Sequence, residues 1–179
     1  MQTTSNHDAG ALCMECGLCC SGAVYTILRI EAAELEAPPG IVMKIERDDD
    51  GPFSTLPCPA LSGTCCTIYT DRPRTCREFR CVTLQALDRH QLTLEAAQHR
   101  IREARTAFAA CERAAGDRSI LDIRKLRAEL ANAGFILQPA ELREALNALD
   151  GILDRWFRKP EQAQLPVFAE LEGRPVNPR

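Results

Sequence analysis

The distribution of cysteine is the feature that most constrains this chain. The sequence has ten cysteines, of which nine lie between Cys13 and Cys81 and only Cys111 lies beyond them. The first ten residues are polar and lack the basic and apolar parts of a secretory signal peptide. No apolar run is long enough to span a membrane. The sequence therefore predicts a cytoplasmic protein whose clustered cysteines hold metal, since disulfides are rare in a reducing compartment.

The first group of cysteines has the sequence C-M-E-C-G-L-C-C and runs from Cys13 to Cys20. Two thiolates three residues apart grip one ion when the backbone between them turns tightly. Gly17 follows the second of these cysteines and permits positive φ at the turn. The neighbouring side chains of Cys19 and Cys20 tend to diverge, so we expect them to serve different ions.

The second group of cysteines is spread out and ends in C-C-T-I-Y-T-D-R-P-R-T-C-R-E-F-R-C. Cys76 and Cys81 would reach one site if the helix that opens at Asp71 ends near Phe79. The interleaved arginines are Arg72, Arg74, Arg77 and Arg80. We expect these cations to lower thiol pKa values and so to favour the thiolate that metals need. The alternative reading of the arginines is a solvated basic helix face.

In combination, these motifs resemble the YkgJ-type cysteine-cluster family of zinc- or iron-chelating proteins. The resemblance covers residues 13–81 and rests on the C-x-x-C-G-x-C-C head, a C-P-A-L segment, the I-Y-x-x-R-P centre and the C-R-x-F end. It implies metal-ligand roles for eight cysteines, namely Cys13, Cys16, Cys19, Cys20, Cys58, Cys66, Cys76 and Cys81. The family pattern usually has one cysteine where this chain has Cys65 and Cys66, so Cys65 is either a spare thiol or the ligand in place of Cys66.

Eight ligands suit two four-coordinate sites or one multinuclear site, and the spacing leaves their pairing open. The choice between zinc and an iron–sulfur cluster also stays open. Cys13, Cys16 and Cys19 match the first three positions of the bacterial ferredoxin motif, but the fourth position is Ala23. Tyr69 and Phe79 are expected to pack around the cysteines.

Three functions are compatible with these motifs. The first is a non-catalytic metal-binding protein in which zinc or iron stabilises the cysteine-rich segment. The second is a redox protein or a protein that delivers iron–sulfur clusters or metal. The third is a protein-modifying enzyme, because some similar proteins are flagellin lysine methylases, although the sequence has no G-x-G cofactor loop. A net charge of −3 argues against a nucleic-acid partner, whereas the helical region offers a face to a protein partner.

Near Leu84 the chain changes from a cysteine-rich segment to a helical one. We therefore predict an α+β fold with three consecutive parts. Residues 1–84 form a small, irregular, cysteine-rich metal-binding domain with short strands. Residues 85–160 form an α-helical hairpin or bundle, and residues 161–179 form an extended tail. Within the first part, strands are predicted at residues 23–28 and 41–46.

Apolar residues three and four positions apart predict three helices in the second half. The first begins after Thr93, ends at Gly116 and buries Leu94, Ala97, Ile101, Ala104, Phe108, Cys111 and Ala115. The second begins at Ser119, ends at Gly134 and buries Ile123, Leu126 and Leu130. The third begins near Pro139, ends at Pro160 and buries Leu142, Ala145, Leu149, Ile152 and Trp156. Cys111 is therefore predicted to be a core residue rather than a ligand.

Overall fold

In the computed structural model, residues 6–35 and 43–160 are described, with side chains from Ala9 onward. Short antiparallel strands combine with several helices, which confirms the predicted α+β fold. Packing divides the chain into two compact units, Met1–Arg102 and Glu103–Arg179. The predicted boundary near Leu84 concerns independent folding and stays a prediction, and the predicted tail lies outside the described residues. No helix in these ranges is long and apolar enough to cross a membrane.

The first unit contains a helix and a three-stranded antiparallel sheet. Helix α1 is Asn6–Cys16, and the strands are β1 Ile27–Arg29, β2 Ile45–Asp48 and β3 Gly51–Thr55. The order is β1-β3-β2, with Ile27 opposite Thr55 and Asp48 opposite Gly51. Strands β1 and β2 begin later than the sequence predicted, and residues 41 and 42 lie outside the described residues. Helix α1 and strand β3 were not predicted.

The segment between the sheet and the long helices consists of short elements. Strands β4 Leu61–Ser62 and β5 Cys65–Cys66 form a hairpin, and a 3-10 turn, Tyr69–Asp71, follows it. Helices α2 Arg74–Glu78 and α3 Val82–Asp88 come next. The backbone turns extended at Phe79, so the condition that the sequence set for Cys76 and Cys81 to reach one site is met. The predicted start at Asp71 is wrong, because Asp71 closes the 3-10 turn and Pro73 precedes α2.

Cysteines take part in the apolar packing of the first unit. Leu28, Ile30 and Leu56 form a buried cluster. The half-buried residues packed against it are Tyr25, Leu35, Met43, Cys58 and Cys76. Two of the predicted ligands, Cys58 and Cys76, therefore pack against the apolar cluster of the first unit.

The three predicted helices are present, and the predicted starts agree with the structure, whereas the third helix ends at Trp156, before the predicted end at Pro160. The helices are α4 Leu94–Ala115, α5 Ile120–Asn132 and α6 Ala140–Trp156. The Thr93 hydroxyl accepts a hydrogen bond from the Ala96 N–H at 3.2 Å, and the Ser119 hydroxyl accepts one from the Asp122 N–H at 3.1 Å. The predicted stripe of α4 is buried apart from Leu94, which confirms the prediction that Cys111 lies in the core.

The predicted buried faces of α5 and α6 are partly wrong. On α5 the buried residues are Ile120, Ile123, Arg124 and Arg127, whereas Leu126 and Leu130 are half-buried. On α6 the buried residues are Leu142, Leu146, Leu149, Asp150 and Leu153, whereas Ala145, Ile152 and Trp156 are half-buried. The reason is a buried ion cluster, in which Asp150 contacts three arginines at 2.7 to 2.9 Å: Arg124, Arg127 and Arg158.

Candidate metal centre

The end of α1 and the turn after it position the first four cysteines. Gly17 ends α1 with φ +63°, which confirms the expected positive φ, and its N–H donates to the Cys13 carbonyl at 3.2 Å. The turn continues with the Ala23 N–H donating to the Leu18 carbonyl at 3.0 Å. A Cβ atom on Gly17 would lie 2.8 Å from the Thr64 carbonyl oxygen. Glycine therefore lets the β4–β5 hairpin approach the cysteine-rich turn.

The remaining cysteines come to this turn from separate elements. The Cys58 N–H donates to the Cys20 carbonyl at 2.7 Å and joins the two segments directly. Cys66 lies on β5, Cys76 lies within α2, and Cys81 is the residue before α3. Sulfur atoms from distant stretches of sequence are thus brought together in the first unit.

Four of the thiols form what we term the first thiol group: Cys13, Cys16, Cys19 and Cys81. Burial raises the pKa of Cys19 well above its ordinary value, and the charges of Cys16, Cys81 and Cys13 raise it further. Burial also raises the pKa of Cys81 to about 11, with a further contribution from Cys13. Cys13, Cys16 and Cys19 lie on α1 and the turn after it, and the charge of Cys81 reaches Cys19 from the residue before α3.

The other four thiols form the second thiol group: Cys20, Cys58, Cys66 and Cys76. Burial, followed by the charges of Cys58, Cys66 and Cys76, raises the pKa of Cys20 to about 12. Burial and then Cys58 raise the pKa of Cys76 to about 12. The two groups are adjacent, because Cys19 and Cys20 are consecutive and Cys20 also raises the pKa of Cys19. Cys76 and Cys81, which the sequence allowed to share one site, lie in different groups.

The structure distinguishes Cys66 from its neighbour Cys65. Consecutive residues of a strand point to opposite faces. Cys65 is exposed, and its sulfur lies 3.7 Å from the Met14 carbonyl oxygen. The charge of Cys66 acts on Cys20, Cys58 and Cys76, as the shifts of those three thiols show. The structure therefore brings Cys66 to the second thiol group and leaves Cys65 at the surface.

The arginines do not give the thiols the low pKa values that the sequence predicted. Arg72 stacks over the Tyr69 ring at 3.5 Å, and its charge lowers the pKa of both Cys13 and Cys76. Arg80 also lowers the pKa of Cys13. Burial outweighs these cations, however, and both thiols end with raised pKa values. Arg72 and Arg80 therefore act in the predicted direction, but the net pKa of each thiol is raised because desolvation of the charged form is the larger effect.

Tyr25 is a residue of the site that the sequence did not reveal. Its hydroxyl donates a hydrogen bond to Cys19, and burial followed by the charges of Cys19, Cys76 and Cys20 raises its pKa. Tyr25 is therefore bonded to the first thiol group and lies within electrostatic range of the second. The Phe79 ring packs edge-on against it, with ring centroids 5.1 Å apart. In the sequence, Tyr25 stands in an apolar run that is typical of a strand, and no motif marks it as a neighbour of the cysteines.

The donor set suits a thiophilic metal, although the sulfurs are not arranged as a ready-made cage. Within residues 6–35 and 43–160, no three Cys, His, Asp or Glu side chains have the arrangement that holds a metal ion. Thiolate sulfur is a preferred ligand of zinc and of iron–sulfur clusters. Because the thiol pKa values are raised, a metal would displace protons as it draws the sulfurs together. The residues therefore fit such a metal by their chemistry, with binding coupled to a local rearrangement.

The family comparison agrees with this chemistry. The sequence model of the CxxCxxCC family, described as "Putative zinc- or iron-chelating domain", matches residues 12–112. The chain belongs to this family, since the match covers more than half of its 179 residues. The match extends well beyond residues 13–81 and includes α3 and most of α4. No curated protein and no solved structure matches the chain.

Proposed function

We propose that this protein binds zinc or iron through eight cysteine thiolates, four from the first thiol group and four from the second. The observation that carries the proposal is the meeting of eight cysteines from α1, the turn after it, β5, α2, the start of α3 and the segments between them. Cys19 is influenced mainly by three thiols of the first group, and Cys20 mainly by three of the second, with a smaller influence of Cys13 on Cys20. Four thiolates are the full ligand set of a structural zinc ion, and also of a common iron–sulfur cluster. Membership of a chelating family supports the same conclusion.

Elemental analysis of protein purified without oxygen tests this proposal. Cys16→Ser removes a ligand of the first thiol group, and Cys58→Ser removes one of the second. Each variant should lose about half of the bound metal, because one complete four-thiolate set remains. Cys65→Ser is the matched control, since Cys65 is exposed, and it should keep the full metal content. Full metal content in both ligand variants, or an equal loss in the control, would contradict the proposal.

One observation favours an iron–sulfur cluster in the first thiol group. Cys13, Cys16 and Cys19 have the C-x2-C-x2-C spacing, and Cys81 lies beside them where the sequence lacks a fourth cysteine. A remote cysteine would thus complete the ligand set. Tyr25 donates a hydrogen bond to Cys19 and packs against Phe79, and hydrogen bonds to sulfur and neighbouring rings tune the reduction potential of a cluster.

Visible absorption and electron paramagnetic resonance of the anaerobic protein distinguish the two metals. A cluster gives a brown, reducible sample containing iron and sulfide, and Cys81→Ser should remove the colour. A colourless sample that contains zinc and no iron would dismiss the cluster and leave zinc as the metal.

A further inference from the structure

An open cleft of about 600 Å³ lies beside the thiol groups in the first unit. One wall is α1, through Ala9, Gly10 and Ala11, and an added Cβ on Gly10 would lie 3.1 Å from the Tyr69 hydroxyl. The opposite wall comes from the segment around α2 and includes the rings of Tyr69 and Phe79. The volume falls within the range of about 300–1,000 Å³ that is typical of small-molecule sites.

The charge of the cleft is strongly positive. Three arginines line it, Arg72, Arg77 and Arg80, and the lining residues of the described chain include no carboxylate. Arg80 also forms an ion pair with Asp88, with 3.5 Å between Nε and Oδ2. The Arg72 Nε donates to the Tyr69 carbonyl at 2.8 Å, and Arg77 donates to the Arg72 carbonyl. Such backbone contacts hold a guanidinium in place without cancelling its charge.

Compensation of thiolate charge explains only part of this arrangement. Arg72 acts on Cys13 and Cys76, and Arg80 acts on Cys13. Arg77 is not among the charges that shift either thiol, although it lines the same cleft. Its neighbour Arg74 behaves differently, since it pairs with Glu31 and Glu78 outside the cleft. Arg77 lines the cleft and donates to the Arg72 carbonyl, so it adds a positive charge beside Arg72.

We propose that this cleft binds a small ligand carrying two or more carboxylate or phosphate groups, held by Arg77 and Arg72. The planar guanidinium group matches both oxyanions through paired hydrogen bonds. A concave cleft of this volume favours a small molecule over an extended macromolecular surface. The cleft is also lined by Cys13 and Cys76, one from each thiol group, so the bound anion lies next to both.

Isothermal titration calorimetry on the full chain as purified tests the proposal, with tricarballylate as the carboxylate probe and inorganic pyrophosphate as the phosphate probe. Sulfate serves as the ionic-strength comparison. At least one probe should bind with one-to-one stoichiometry, and which probe binds identifies the oxyanion. Arg77→Gln should weaken binding about tenfold or more, whereas Arg77→Lys, which keeps the charge, should retain part of it. Arg74→Gln is the matched control on the same helix and should bind as the unmodified chain does.

Absence of binding by both probes overturns the proposal, as does equal weakening in Arg77→Gln and Arg74→Gln. Binding of sulfate as tight as that of the probes also overturns it, because it would indicate a general response to anions. Metal content measured on each variant separates this inference from the metal proposal. Normal metal with no anion binding refutes the cleft alone, whereas anion binding without metal refutes only the thiol assignment.

Discussion

At the scale of single residues, Gly17 decides how closely α1 and the β4–β5 hairpin can approach. Its φ is +63°, and an added Cβ would meet the carbonyl oxygen and the Cα atom of Thr64 at 2.8 and 2.9 Å. Both of these atoms belong to the backbone, so no side chain can rotate away to relieve the contact. The two thiol groups depend on this approach, because it sets Cys66 against the turn that carries Cys19 and Cys20.

Gly17→Ala should therefore destabilise the first unit more than a positive φ alone would. Gly63→Ala is the matched control, since Gly63 has φ +61° and nothing lies within 4 Å of its added Cβ. The left-handed backbone costs about 1–2 kcal/mol in either variant. The clash with Thr64 should add about 1–3 kcal/mol in Gly17→Ala only, and that variant should also bind less metal. Thermal unfolding and metal content measure both effects, and equal behaviour of the two variants would contradict this account.

The raised thiol pKa values predict two opposite responses to pH. Metal needs thiolates, so the affinity for metal should fall as the pH falls, and binding should release about one proton for each coordinated thiol. The stability of the metal-free protein should instead fall as the pH rises. Cys20 and Cys76 hold their protons until about pH 12 in the folded chain, whereas an unfolded thiol ionises near its ordinary value of 9.0.

The stabilising effect of these protonated thiols is therefore complete below about pH 9 and is lost as the pH rises toward 12. Urea unfolding of reduced, chelated protein at pH 8 and pH 10 would measure the loss. Proton release on metal addition can be followed with a pH indicator in weak buffer. Constant metal-free stability across this range, or metal binding without proton release, would contradict the assigned pKa shifts.

At the scale of elements, the long helices were predictable from sequence and the thiol-bearing elements were not. Apolar periodicity and N-caps such as Ser119 predict helices α4 to α6, because both signals are formed by residues close together in the sequence. Helix α1 has no comparable stripe, because small residues and cysteines replace the aliphatic pattern. The grouping of the thiols depends on where Cys58, Cys66 and Cys81 approach the turn after α1. The spacing of cysteines along the chain does not predict such long-range contacts.

The buried ion cluster between α5 and α6 is a second element-scale feature. Asp150 is fully buried, and although burial raises its pKa, the charges of Arg124, Arg158 and Arg127 bring it below the ordinary value. Periodicity did not predict it, because arginine and aspartate on a helix normally indicate an exposed face. The cluster also explains why α5 turns Arg124 and Arg127 inward in place of Leu126 and Leu130.

Asp150→Asn should strongly destabilise the second unit, because it leaves buried arginine charges without their carboxylate. Removing one partner of a buried ion pair costs about 3–5 kcal/mol. Asp117→Asn is the control, since Asp117 is exposed in the loop between α4 and α5. Denaturant unfolding followed by circular dichroism measures both variants. A change below about 1 kcal/mol in Asp150→Asn would show that the cluster contributes little net stability.

At the scale of the whole molecule, the two units are stabilised by different means. The second unit has an aliphatic core that includes Leu142, Leu146, Leu149 and Leu153, together with the ion cluster around Asp150. The first unit has buried apolar residues of its own, including Leu12, Leu18 and Leu28, together with eight thiols carried by α1, the turn after it, β5, α2 and the segments between them. If metal occupies those thiols, it connects segments that are far apart in the sequence.

Complete chelation under reducing conditions should therefore unfold the first unit and leave most of the helical structure of the second. Structural zinc contributes about 10–16 kcal/mol of apparent binding free energy in small finger peptides, which is comparable to the total stability of about 5–15 kcal/mol of a domain. Limited proteolysis with mass spectrometry should show new cuts within residues 13–81, while circular dichroism retains the signal of α5 and α6. Reducing agent without chelator is the control and should cause no new cuts. If chelation removes all metal and the cleavage pattern stays unchanged, the metal does not stabilise the fold, and the thiols serve a redox or delivery role instead.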